Sequence, residues 1–382
     1  MGKILLKVLL NINIFNAILK LIGCSSSRIS PNPDDISICM VGDLLMHKPI
    51  LDYAESNKKN NSYNFDFIFQ NMEKYIKEYD IKIINEEVLI SGTEFGITGY
   101  PRFNSPLELA NSVVRAGFNV ILKATNHVND RNELARMVDI NNWKKFPDVK
   151  VIGSYLNETE AKKITYFELK GIKIALLNYC YGSNKKIQYK YIMNKIEYFK
   201  IKEDIETCRK EGADLIIVFP HWGREYNLKK NKYQEKWAKI FFELGIDIVI
   251  GTHPHVIQPV EVMEDKNNTN RKMYIFYSIG NFINYTSSKK QNVFWRFLGG
   301  LAHIIVGRVN NKVVIKDVKF IPLITHIYEE DNKVTTFKVK DYNESMANKN
   351  FIRVKNDESF SYENMMNIFK KVIDKDFLDF NL

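Results

Sequence analysis

A chain of 382 residues, 45% hydrophobic and 26% charged, has room for one large core with appendages or for two modest ones, and its composition is that of an ordinary globular protein. The net charge of +10 comes mostly from lysine scattered among asparagine and isoleucine. Without an arginine-rich helix or a basic stripe interleaved with aromatics, nucleic acid is excluded as the expected partner, while a positive face turned to an acidic polymer or an anionic envelope is compatible with the charge.

Lys3 and Lys7 precede and interrupt an apolar stretch, residues 4–22, that closes on Leu21-Ile22-Gly23-Cys24. A positive start, an apolar middle and small residues at the end describe an export signal, and the closing residues resemble a bacterial lipobox, in which the cysteine is acylated. Asn11, Asn13, Asn16 and Lys20 break the stretch, whereas a stable span wants roughly 20 predominantly apolar residues. Residues 1–24 are therefore expected to be a lipoprotein-type signal peptide, with Cys24 as a lipid anchor to the cell membrane on its extracytoplasmic face. An uncleaved anchor would leave the bulk of the chain on the same side. Cys39, Cys180 and Cys208 are odd in number and lack a CxxC pair, so neither a disulfide framework nor a structural zinc site is expected.

Residues 25–35 are a polar, Ser- and Pro-containing tether. The apolar run 36–41 reads as a first buried strand that ends in Gly42-Asp43. Helical spacing over 65–79 is followed by a strand over 80–87 that ends in Glu86 and Glu87, of which Glu86 reads as a solvated turn residue. A turn-rich loop, 99–106, feeds a helix over 107–116, and a strand over 118–122 exits at Asn126 and His127. Then come a helix over 134–143, strands over 150–153 and 171–179, and an amphipathic helix over 193–211. The run 213–219 leads to His221, and a helix over 233–244 precedes the β-branched run 248–250, which stops at Gly251 and is followed by His253 and His255. A strand over 273–278 exits at Gly280-Asn281. Residues 302–309, 312–315 and 318–321 read as antiparallel strands, the first two joined by Asn310-Asn311. Beyond 325 the chain is polar and closes with a helix over 363–374.

Five strand exits thus present, in order, Asp43, Glu87, Asn126, His221 and the pair His253/His255. Buried strands of this kind belong to parallel sheets covered on both faces, and open α/β sheets bind ligands at the carboxyl ends of their strands. Of seven histidines only His303 and His326 lie outside such exits. Gly251 is expected to let the backbone turn sharply at the carboxyl end of its strand.

Gly42-Asp43, Asn85-Glu86-Glu87, the loop Tyr100 to Pro106, Asn126-His127-Val128-Asn129-Asp130, His221-Trp222-Gly223-Arg224-Glu225-Tyr226, Gly251-Thr252-His253-Pro254-His255 and Ser278-Ile279-Gly280-Asn281-Phe282 resemble, in order and spacing, the CapA family of capsule and poly-γ-glutamate synthesis proteins. The resemblance implies a four-layer αββα sandwich of the calcineurin-like metallophosphatase type over residues 36–325, with 326–382 as a small C-terminal extension. It also implies a metal centre at the strand ends and a role in making, anchoring or exporting an anionic polymer, with membrane capsule-synthesis subunits as partners and the polymer or a phosphorylated compound as substrate. Carried over residue by residue, Asp43, Glu87, Asn126, His221, His253 and His255 are the expected ligands of two divalent transition ions (Mn, Zn or Fe), and His47 is a lesser candidate. His127, Asp130 and Glu225 are the expected catalytic residues: His127 protonating the leaving group and Glu225 orienting a ligand histidine. The chain departs from the family where Glu86 takes a leucine position, where Thr125 replaces a second asparagine, and where Arg131-Asn132 replace an aromatic-Gly pair, which touches substrate contacts around Asp130. Three function classes are open: a metal-dependent hydrolase, a non-catalytic assembly factor of an export complex, and a polymer-binding surface protein.

Overall fold

The computed structural model describes residues 32–58, 60–265 and 268–382; Cys24, residues 1–24 and most of the tether lie outside them. Fourteen strands follow in chain order among these residues. They are β1 (Ile36–Leu44), β2 (Ile81–Glu86), β3 (Val120–Leu122), β4 (Lys150–Ile152), β5 (Thr165–Leu169), β6 (Ile172–Cys180), β7 (Leu215–His221), β8 (Ile248–Ile250), β9 (Val260–Asp265), β10 (Asn268–Phe276), β11 (Asn281–Ile283), β12 (Leu298–Val309), β13 (Lys312–Ile327) and β14 (Val334–Lys338).

They form two mixed sheets. The first has the order β14-β13-β12-β1-β2-β3-β4, with β11 also paired to β1, and the second β5-β6-β7-β8-β10-β9. Strand alternation shows how they stack. In the second sheet Ile174, Leu176, Ile217, Phe219, Ile248 and Ile250 join the core that holds β1, β2 and β12, so they face the first sheet. The residues between them, Ala175, Leu177, Ile216, Val218 and Val249, pack outward against helices Tyr198–Lys210 and Lys232–Glu243. Helices Lys48–Ser56, Glu108–Arg115 and Glu133–Trp143 contribute Ile50, Leu109, Val113 and Trp143 to the core of the first sheet. The result is the expected αββα sandwich. Both sheets run β1, β2, β3 and β6, β7, β8 parallel, so their carboxyl ends share one rim.

Several elements differ from the sequence pattern for identifiable reasons. The helix expected over 65–79 is two short helices, Asp66–Phe69 and Glu73–Ile76, and between them the Asn71 side chain donates to Thr335 Oγ1 in β14 at 3.1 Å. The helix expected from 193 begins at Tyr198, because Asn194 N donates to Gly153 O and Ile196 N to Cys180 O, which holds this stretch extended beside β6. The two strands expected over 312–321 are one strand, bulged where Ile305 and Val306 oppose Asp317 and Ile315. Asn310 and Asn311 both have positive φ, 50° and 63°, and close the β12–β13 hairpin as a two-residue turn of the kind that matches strand twist. Strands β5, β9, β11 and β14 carried too weak an alternation to be read beforehand. The boundary expected at 325 falls inside β13, and Val334, Tyr342, Ile352, Met365 and Phe369 beyond it are buried in the same core as β1. Among the described residues no helix is long and apolar enough to cross a membrane.

Candidate metal centre

The rim gathers the strand-exit residues. Asp43, Glu87, Asn126, His127, Asp130, His221, His253 and His255 are all buried, and Glu225 is exposed. Two glycines make this packing possible, though not by turning the chain. Gly42 and Gly251 have ordinary φ, but a Cβ on Gly42 would lie 1.8 Å from Gly280 O, and one on Gly251 would lie 2.2 Å from Tyr277 O. Space, rather than backbone freedom, is what these positions require. The reversal is made by the histidines themselves, with φ of 94° at His253 and 57° at His255. Non-glycine residues in this region are strained, and such strain clusters at functional sites.

Glu87, just past β2, is the hub. Its Oε1 lies 3.4 Å from His221 Nε2, 3.7 Å from His255 Nε2 and 4.0 Å from His127 Nε2. Asp43 Oδ1 accepts from Asn85 Nδ2 at 2.8 Å, and its Oδ2 lies 3.0 Å from His255 Nδ1. His221 Nε2 is 2.8 Å from Asn126 Oδ1, and its Nδ1 is 3.0 Å from Thr252 Oγ1. Among the described residues, three sets of side chains have donor atoms within 4.8 Å of one another: Glu87, His221 and His253; Asp43, Glu87 and His255; Glu225, His253 and His255. Glu225 therefore stands among the candidate donors as well as beside the histidines it was expected to orient. His47 is in none of these sets. It is half-buried against the edge of Phe103 and accepts weakly from Tyr285 N at 3.5 Å, and desolvation of the ring pushes its imidazole down to about 4.

Electrostatics distinguish the groups. Burial alone would raise Glu87, but the imidazoles of His255, His221 and His127 hold it below the usual carboxylate range. Burial, and then the Glu87 charge, raises Asp43. Burial would lower His255, yet Glu87 and Asp43 push it up to about 10. His253 is lowered well below the ordinary histidine value by burial and by His221 and His255. Both Glu87 oxygens and His253 Nδ1 are buried with no hydrogen-bond partner among the described residues. Such orphaned atoms are costly in an interior. The clustering of these donors is consistent with a site for a divalent cation, and an N/O donor set without thiolate suits a borderline or hard ion.

To one side, His127 Nδ1 donates to Asp130 Oδ2 at 2.7 Å, and Asp130 Oδ2 also accepts from Phe103 N at 2.7 Å. Burial would lower His127, but Asp130 and Glu87 outweigh it and raise the imidazole. With Nδ1 fixed on Asp130, Nε2 faces Glu87. A cleft of about 410 Å³ reaches Asp130 and is lined by Arg102, Arg131 and Lys185 against Glu94. The departure at Arg131 from the family pattern therefore puts a cation beside Asp130, where an aromatic was expected.

Beneath the rim, Glu86 is not the solvated turn residue its sequence position suggested. It is 1% exposed, and Lys123 Nζ reaches its Oε1 at 3.0 Å, Asp139 Oδ2 at 2.8 Å and Val88 O at 2.7 Å. Lys123 so grips the residues on either side of Glu87. Sequence reading also missed Asn184 and Tyr181, which follow β6. Asn184 Nδ2 lies 3.4 Å from His127 Nε2, and the Tyr181 ring sits 4.7 Å from that of His253. The exit of β6 was the usable signal, since it is a further parallel strand ending on the same rim. Trp222 is fully buried on Phe241 and donates to Tyr277 O at 2.9 Å, so it packs beneath the site. His303 and His326 pair instead with the hydroxyls of Tyr79 and Tyr342.

The family model described as bacterial capsule synthesis protein PGA_cap matches residues 37–286, which hold every rim residue described above. The chain belongs to this family. It is 28% identical over 264 residues to the capsule biosynthesis protein CapA of Bacillus anthracis, an alignment covering 65% of this chain and 60% of that protein. It is likewise 28% identical over 270 residues to the PGA biosynthesis protein CapA of Bacillus subtilis (strain 168), covering 67% of this chain and 65% of that one. The alignments thus span less than two thirds of either curated relative. Among solved structures, the chain is similar to the calcineurin-like phosphoesterase YfkN of Bacillus subtilis, at 14% identity and a TM-score of 0.45, covering 88% of this chain and 100% of that one. It is also similar to the NAD nucleotidase NadN of Haemophilus influenzae, at 12% identity and a TM-score of 0.46, covering 90% of this chain and 64% of that one.

Proposed function

We propose that this capsule synthesis family member is a metal-dependent hydrolase of the phosphoesterase type. It acts on an anionic substrate in the synthesis, anchoring or export of a poly-γ-glutamate-like polymer, from a lipid-anchored position at Cys24 on the outer face of the membrane. The observation that carries the reading is the Glu87 carboxylate, buried and without a hydrogen bond, with three histidine nitrogens within 4.0 Å of one of its oxygens. Asp43, Glu87, Asn126, His221, His253 and His255 would hold one or two divalent ions, with Glu225 at the solvent edge. Ions so held supply Lewis acidity and a nucleophile drawn from water at neutral pH. His127 keeps a proton available at Nε2 for the leaving group, and Asp130 fixes its ring and tautomer through Nδ1. Arg102, Arg131 and Lys185 favour an anionic substrate in the adjoining cleft.

The test is elemental analysis of purified protein together with hydrolysis of an aryl phosphate. Wild type is expected to carry divalent metal and turn over. His221→Ala is expected to lose metal with an unchanged circular dichroism spectrum, and Asn126→Ala to lose turnover. Wild type that binds no metal after reconstitution sinks the enzyme reading, and leaves a non-catalytic partner of membrane capsule-synthesis subunits as the alternative.

A further inference from the structure

Arg296 lies beyond the family match, in a short 3-10 turn, Val293–Phe297, that precedes β12. It is 9% exposed, yet no carboxylate pairs with it among the described residues. Its guanidinium carbon stacks 3.5 Å from the centre of the Tyr226 ring, and Nη1 makes only long contacts, 3.4 Å to Thr286 Oγ1 and 3.5 Å to Ser288 Oγ. Among the described residues, Nε and Nη2 have no hydrogen-bond partner. A ring face offsets part of the cost of burying a cation, but less than an anion would.

The position of Arg296 ties it to the centre. Asn281 Nδ2 donates to Arg296 O at 2.8 Å and to His255 O at 3.2 Å, while Asn281 Oδ1 lies 3.0 Å from His255 Nδ1. The Tyr226 ring that carries the guanidinium is 6.0 Å from the His255 ring. Thr286 Oγ1 already accepts from Ser288 N at 3.1 Å as well as from Arg296, so its own proton is left to donate. A fixed, buried guanidinium with open N–H groups and a hydroxyl donor beside it is the donor set that recognises phosphoryl or carboxylate oxygens.

We propose that Arg296, with the Thr286 hydroxyl, seats an oxyanion of the substrate on the His255 side of the centre. This deepens the hydrolase reading and rests on it for the word substrate, though not for the binding itself. The test titrates inorganic phosphate and, separately, a γ-linked glutamate trimer into the full chain by calorimetry, both metal-loaded and treated with chelator. Arg296→Gln is expected to weaken binding by about 10- to 100-fold, the usual effect of losing a charged hydrogen bond, with metal content and melting temperature unchanged. Weakening for phosphate alone identifies a phosphate ester, and weakening for the trimer alone a polymer carboxylate. Wild type that binds neither probe, or a folded Arg296→Gln that binds both as tightly as wild type, overturns the proposal. Should that variant not fold, Thr286→Val decides: lower affinity supports the seat and equal affinity overturns it. Because the chelator-treated titration needs no metal, a chain that proves not to be a metalloenzyme still reports on Arg296.

Discussion

Glu86 and Glu87 are chain neighbours, both 1% exposed, and they meet opposite fates. Below the rim, Glu86 shares Lys123 with Asp139. Burial, against the pull of Lys123, pushes its carboxyl up to about 8, so Glu86 holds its proton more readily than a surface glutamate, and Asp139 is the second counter-charge to Lys123. Above, Glu87 stays ionised among imidazoles and its oxygens have no hydrogen-bond partner. The lower cluster neutralises itself with its own residues and is architecture. The upper one keeps buried donor atoms that its own residues leave without a hydrogen bond, and it is where the proposed chemistry would sit.

The contrast breaks most sharply at His127. His127→Gln removes the proton donor and leaves the Glu87 cluster intact, so aryl-phosphate turnover is expected to fall by about 100- to 10,000-fold while metal content by mass spectrometry stays at the wild-type level. A parallel loss of metal would place His127 among the ligands instead. Next in size is Lys123→Met, which strands the Asp139 charge and is expected to cost about 3–5 kcal/mol in urea denaturation. Glu86→Gln, which mimics the protonated carboxyl, is expected to stay within about 0.5 kcal/mol of wild type. Equal losses in the two would mean that Glu86 is ionised. The smallest effect concerns protons. His255 is pushed up to about 10, so it is protonated at neutral pH, and an ion that takes its nitrogen must displace that proton. Metal affinity should therefore rise with pH up to about 10, and calorimetry in two buffers of different ionisation enthalpy should count about one proton released per chain.

The rim was legible because each of its members follows a hydrophobic β-branched run, and that pattern survives in one dimension. The Lys123 clamp was not, since a lysine after Leu122 looks like any strand-end charge until Glu86 and Asp139 are brought beneath it. Glu225 was legible as a site residue but not as a neighbour of both His253 and His255, which depends on the left-handed backbone of those two histidines. Among the strands, β14 was hidden in a polar tail whose buried residues, Val334, Thr335, Thr336 and Lys338, include three polar ones. Thr336 and Phe282 O share a hydrogen bond across the sheet that no local pattern announces.

The pairing of β1 with β12 also bears on how this protein can be cut. The stretch that similarity marks out, 37–286, stops short of β12, so a fragment made to those limits would strip β1 of its antiparallel neighbour along five residues, Ser37 to Val41. The strand that carries Asp43 would then present a bare, apolar edge, the kind of surface on which chains stack and precipitate.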